Sequence, residues 1–177
     1  MDDDDSEPRS PIPAAMSPRS GLIHLVLTDR ATCLTPQTDR WLHERFAEVA
    51  ETLCIGGELR AAILNDDEMA HAHRVWTGID GPTDVLTSDL VDGGAVETRC
   101  IDADVLLGAD EARRRADELG HPFERELLLY LVHALLHCLG FDDHTPEDAA
   151  RMHAEEDRVL GLIGVGATYA PRAEVRS

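Results

Sequence analysis

His133 and His137 stand four residues apart in the otherwise mostly apolar run from Leu127 to Leu139. On a helix that spacing puts both imidazoles on one face, one turn apart. Their Cβ atoms would lie about 5–6 Å from each other, so both rings can reach one metal ion. Gly140 follows, where a left-handed residue ends a helix, and the reversal carries Phe141-Asp142-Asp143-His144 back over the helix end. His144 is thereby placed to complete a three-ligand set with the fourth position open to water. Three neutral imidazoles leave the charge of Zn²⁺ intact and bring the pKa of bound water toward about 7, which suits hydrolysis. Two histidines on the apolar face of a core helix otherwise each need a hydrogen-bond partner. The third His after the Gly favours metal.

The remaining six histidines (His24, His43, His71, His73, His121 and His153) read as ordinary. His71 and His73 are two apart and point to different helix faces. The motif also lacks something: zinc proteases of the H-E-x-x-H type carry a general-base Glu directly after the first His, and here that position is Ala134. The base then comes from elsewhere, with Asp142 and Asp143 nearest, or the substrate supplies a proton acceptor, as a phosphodiester can. A peptidase is disfavoured.

The elements that must position these residues are legible in outline. Gly21–Thr28 reads as a first strand. Thr35-Pro36 opens a helix whose apolar positions Trp41, Leu42, Phe46, Val49 and Leu53 recur at helical spacing, and Gly56-Gly57 stops it. Leu59–Leu64 is a second strand, Asp66-Asp67-Glu68 starts a short helix, and Thr83–Ser88 is a third strand. Asp92-Gly93-Gly94 makes a turn and Ile101–Leu107 is a fourth strand. Helices at Asp110–Leu119, Pro122–Leu139 and Pro146–Leu160 complete the chain. Pro122–Leu139 is apolar nearly all round, as suits a helix buried at the centre of a domain. With Arg125, Glu126, His133 and His137 inside it, it reads as a core helix and not a membrane span.

Composition sets the boundaries. The chain has 177 residues, 16 Arg, no Lys, 35 acids and a formal charge of −19. That length gives one domain, 21–165, between a disordered acidic and Pro-rich tail, 1–20, and a C-terminal tail, 166–177. The four cysteines Cys33, Cys54, Cys100 and Cys138 show no C-x-x-C spacing and read as reduced, mostly buried thiols. Cys138 is adjacent to His137 and so points about 100° away from it on a helix. Met1-Asp2-Asp3-Asp4-Asp5 offers neither a basic start nor an apolar stretch, so no secretory signal is expected and the cytoplasm is. The acidity argues against a basic, salt-driven nucleic-acid binder.

The run His133-Ala-Leu-Leu-His137-Cys-Leu-Gly140-Phe141-Asp142-Asp143-His144 resembles the signature of the YbeY family of rRNA maturation factors, H-G-x-L-H-L-x-G-Y/F-D-H. Gly81-Pro82-Thr83-Asp84-Val85-Leu86-Thr87 is similar to its K-P-T-D-V-L-S strand, and Ile101–Val105 to its G-D-I strand. The resemblance spans roughly Leu22 to Leu160. It implies an α+β fold, a mixed four-stranded sheet packed against helices, with the metal site on the central buried helix. It implies one Zn²⁺ per chain on His133, His137 and His144. It also implies a single-strand-specific endoribonuclease acting in 16S rRNA 3′-end maturation and ribosome quality control, in contact with ribosomal components.

Three departures stand out. The family's third His position falls on Asp143, with His144 one place beyond; a loop can absorb one residue and nitrogen is the better zinc ligand, so His144 is assigned. Asp143 is left to steady a ligand or to act as base. Ala134 replaces the family's Gly. The family's catalytic or RNA-contacting Arg falls on Thr77, and the nearest Arg is Arg74, one turn upstream.

Two readings follow. One is a zinc-dependent endoribonuclease, with Arg74 offsetting phosphate charge. The other is a ribosome-assembly binding factor whose metal is structural, which a fourth protein ligand such as Asp143 or Cys138 would favour. The tail to Ser20 holds five acids against two arginines, so it carries only −3 of the −19. Asp142–Asp157 alone holds seven acids against Arg151. Affinity for RNA must therefore come from a local patch, with Arg113, Arg114, Arg115, Arg74 and Arg125 as candidates, or from a ribosomal protein or small-subunit docking partner.

Overall fold

The computed structural model describes residues 23–91 and 95–169. Strands β1 (Ile23–Asp29), β2 (Gly56–Leu64), β3 (Val85–Asp89) and β4 (Cys100–Gly108) form one sheet in the order β1-β2-β4-β3. β1, β2 and β4 run parallel, and β3 pairs antiparallel to β4 at the edge. The sheet is therefore mixed, and the fold is α+β.

The strands alternate with period two, which gives the sheet one apolar and one charged face. Leu25, Leu59, Ala61, Ala103 and Val105 are buried. On the opposite face Glu58 and Arg60 of β2 lie beside Asp102 and Asp104 of β4. Arg60 bridges all three carboxylates at 2.6–2.7 Å.

Helices α1 (Pro36–Leu53), α2 (Asp66–Thr77), α3 (Ala95–Thr98), α4 (Ala109–Leu119), α5 (Phe123–Cys138) and α6 (Pro146–Leu162) make up the rest. α5 is the hub, packed against α1, α4, α6, β3 and β4. Its leucines 127, 128, 131, 135 and 136 have no exposure at all, so its uniform apolarity reflects neighbours on every side. Thr35 caps α1 by accepting the Thr38 N–H, and Thr145 caps α6 by accepting the Asp148 N–H, each followed by Pro in the first turn. No helix among the described residues is long and apolar enough to cross a membrane.

Several sequence expectations are corrected. Gly56-Gly57 does not merely end α1, which stops at Leu53 and is capped by Cys54 at φ 53°; both glycines begin β2. Gly57 has φ +110°, and a Cβ there would meet the Ile101 carbonyl at 2.0 Å, so only Gly lets β2 approach β4. The one-turn α3 was not foreseen, being too short to show a period. The cysteines are free, but Cys54 and Cys100 are exposed, since they sit at a helix cap and a strand start. The proposed 1–20 tail, the Asp92-Gly93-Gly94 turn and residues 170–177 lie outside the described residues.

Candidate metal centre

The end of α5 sets the site. The Gly140 N–H donates to the His137 carbonyl at 2.9 Å and the Phe141 N–H to the Leu136 carbonyl at 3.0 Å, with Gly140 at φ +88°. This is a Schellman closure, and it turns the chain back over the helix end. The returning Phe141 carbonyl then accepts a hydrogen bond from Nδ1 of His137 at 3.1 Å.

His133 is held from α6. Its Nδ1 donates to Oε1 of Glu156 at 2.7 Å. Glu156 is fully buried, and its other oxygen has no hydrogen bond among the described residues. Sequence reasoning missed it, although a signal was present: Met152, Glu156, Val159 and Leu160 form the buried stripe of α6, with an acid at a core position.

A carboxylate and a carbonyl can only accept. Both Nδ1 atoms must therefore carry hydrogen, which leaves the Nε2 lone pairs of both neutral rings facing each other. The two Nε2 atoms are 2.9 Å apart. Two lone pairs at that distance repel unless a positive centre, a proton or a metal cation, lies between them. Burial pulls the His133 pKa down, but the hydrogen bond and charge of Glu156 outweigh it and hold the ring above its ordinary value. Burial and the neighbouring His133 charge lower His137. The pair could share one cation.

Asp143 offers a third donor atom. Its carboxylate oxygens lie 3.7 Å from His133 Nε2 and 3.9 Å from His137 Nε2, and the three residues offer ligand atoms all within 4.8 Å of one another. Zinc–ligand bonds of about 2.0–2.2 Å set tetrahedral donors roughly 3.3–3.6 Å apart, so small side-chain adjustments would seat the ion. Two imidazoles and a carboxylate are a donor set that catalytic zinc accepts.

His144, assigned from the sequence as third ligand, is placed differently. Its side chain is 82% exposed and its Nδ1 contacts the Asp142 carboxylate. The same Asp142 oxygen accepts the Asp143 N–H at 2.8 Å and the His144 N–H at 3.3 Å. That turn keeps His144 outward and swings Asp143 toward the histidine pair. His144 still lines the mouth of the cleft.

The cleft measures about 690 Å³. Four acids (Asp84, Asp89, Asp143, Glu156) and five histidines line it, with no Arg among the lining residues. Cys138 lies in the wall, burial pushes its thiol up to about 11, and its sulfur is not among the donor atoms grouped within 4.8 Å of one another. Arg74 is exposed on α2 and has no carboxylate partner among the described residues; its neighbour His73, not Arg74, lines the cleft. The other arginines of the candidate patch are engaged elsewhere. Arg113 pairs with Asp110, Arg114 with Asp66 and Glu111, and Arg115 with Glu118. Arg125 donates to the carbonyls of Gly166 and Ala167.

The chain is similar to known proteins in sequence and fold. The family model described as endoribonuclease YbeY matches residues 28–164. A protein of Bacillus licheniformis named endoribonuclease YbeY is 31% identical over 148 residues, covering 75% of this chain and 94% of that one. Its namesake from Halorhodospira halophila is 35% identical over 155 residues, covering 85% and 98%. The solution structure of a Thermotoga maritima protein superposes with a TM-score of 0.55 at 20% identity, over 88% of this chain and all of the other, and supports the fold.

Proposed function

Because the chain belongs to the YbeY endoribonuclease family, we propose that it is a metal-dependent endoribonuclease that cuts single-stranded RNA. Its place is 16S rRNA 3′-end maturation and ribosome quality control in the cytoplasm. One Zn²⁺ per chain would be held by His133, His137 and Asp143.

The observation that carries this reading is the facing pair of Nε2 atoms, 2.9 Å apart, with the Asp143 carboxylate turned toward them. A divalent cation bound there supplies Lewis acidity at a phosphoryl oxygen. Glu156 and the Phe141 carbonyl fix ring orientation and tautomer, so both Nε2 atoms present lone pairs to the same point. Asp143, given the ligand role here, leaves His144 at the mouth and Arg74 beside His73 as the groups that meet the phosphate backbone. The four carboxylates repel a phosphodiester when no cation offsets them. With most arginines already paired, docking falls to a ribosomal protein or another small-subunit component.

The binding-factor reading needs a fourth protein ligand. Cys138 stands outside the donor group, which favours the enzyme. The test incubates metal-replete protein with a single-stranded oligoribonucleotide beside the His133→Ala and His137→Ala variants. Cleavage by the wild type alone supports the reading; equal cleavage by all three removes it.

A further inference from the structure

Three residues within little more than one turn of α6 serve the same cleft. Glu156 holds His133. Asp157 accepts the backbone N–H groups of Thr168 and Tyr169, the latter at 3.1 Å from both its oxygens. His153 stacks on the Tyr169 ring, with centroids 3.8 Å apart and planes 11° from parallel. From the other side Arg125 donates to the carbonyls of Gly166 and Ala167 at 3.0 and 2.6 Å. A guanidinium and a carboxylate thus strap residues 166–169 against the cleft, and Tyr169 is the aromatic side chain the strap delivers.

A tyrosine that merely locked a chain end would be buried. Tyr169 remains 42% exposed while lining the cleft together with His153, His133 and Glu156. His153 covers one face of the ring, and Tyr169 borders the open cleft. Tyr169 also lies beyond residue 164, where the family match ends.

We infer that the Tyr169–His153 stack is a nucleobase-binding subsite. It receives an unstacked base of the RNA strand next to the bond to be cut. The inference rests on the ribonuclease reading for its substrate class. An aromatic face takes any base, because every base presents a π surface, and it adds affinity without fixed positive charge. That suits a cleft lined by carboxylates. It also gives single-strand preference a physical origin, since a base paired in a duplex cannot swing onto the ring.

The test measures binding of fluorescent 2′-O-methyl oligoribonucleotides to zinc-loaded full-length protein by anisotropy, with strand integrity checked on a gel. One set carries an abasic residue at each successive position. Tyr169→Ala and Tyr169→Leu should weaken the intact strand on the order of 5- to 150-fold, and Tyr169→Phe should stay close to wild type. In the wild type one abasic position should cost the same factor, and in Tyr169→Leu that position should cost nothing. Zinc affinity and melting temperature of Tyr169→Leu should match wild type. Unchanged binding in both variants, or abasic penalties that persist in them at every position, overturns the subsite. Cleavage of unmodified RNA is read separately. A wild type that cleaves without this coupling leaves the nuclease and removes the subsite; coupled binding without cleavage removes the nuclease and leaves only a base-binding site; neither binding nor cleavage removes both.

Discussion

Oε1 of Glu156 on α6 accepts a hydrogen bond from Nδ1 of His133 on α5 at 2.7 Å, and the carboxylate is fully buried. The contact ties the candidate metal site to the packing of two helices. A buried carboxylate facing a neutral ring orients it and raises its basicity at Nε2.

Replacing Glu156 by Gln keeps the shape and removes the charge. Zinc affinity, measured by competition with a chromophoric chelator, should fall about 10- to 100-fold. Unaltered affinity would show that His133 is oriented by packing alone.

Gly140 holds the turn that brings back both the Phe141 carbonyl and Asp143. Gly140→Ala places a Cβ on a residue at φ +88°, 3.0 Å from Cγ2 of Val96. The left-handed conformation costs a non-glycine residue about 1–2 kcal/mol, so urea denaturation should report a loss of that order. Zinc affinity should fall with it. A variant as stable as wild type would mean that the turn relaxes freely.

Metal removal should affect RNA binding as well as cleavage. With Asp84, Asp89, Asp143 and Glu156 around the cleft and no Arg lining it, the metal-free protein repels phosphodiesters. Chelator treatment should weaken binding of a single-stranded oligonucleotide, and zinc should restore it. Equal binding with and without metal would move the RNA contact to another surface.

Glu126, beside His121 at 3.1 Å with both side chains 3% exposed, gives a pH dependence. Burial raises its pKa despite the opposing pull of Arg115. A carboxyl that ionises less readily folded than unfolded lowers stability above its folded pKa. That deficit disappears as pH falls below the unfolded value of about 4.3. Glu126→Gln should therefore be more favourable relative to wild type at pH 8 than at pH 4, as read from denaturation midpoints. A difference independent of pH would contradict this.

Much of the framework was legible in the sequence because it depends on local rules. The 3.6-residue period and leucine content of α5, the i, i+4 histidines, the Gly140 stop and the Thr-Pro helix starts each act over a few residues. What escaped depends on partners far apart in the chain or on one side chain's turn geometry. Glu156 lies 23 residues from the ring it holds, and Asp157 lies 12 from Tyr169. Which of Asp143 and His144 faces the histidine pair follows from Asp142 accepting two successive N–H groups, which spacing alone does not reveal. The arginine patch read from composition is mostly consumed by nearby acids, as a chain with 35 acids and 16 arginines would lead one to expect.

The most direct measurement compares zinc content and single-strand RNA cleavage in Asp143→Ala and His144→Ala, each purified without chelator. The expected result is about one equivalent of zinc and retained cleavage in His144→Ala, with both lost in Asp143→Ala. Full zinc and cleavage in Asp143→Ala, with loss in His144→Ala, would contradict the His133–His137–Asp143 site.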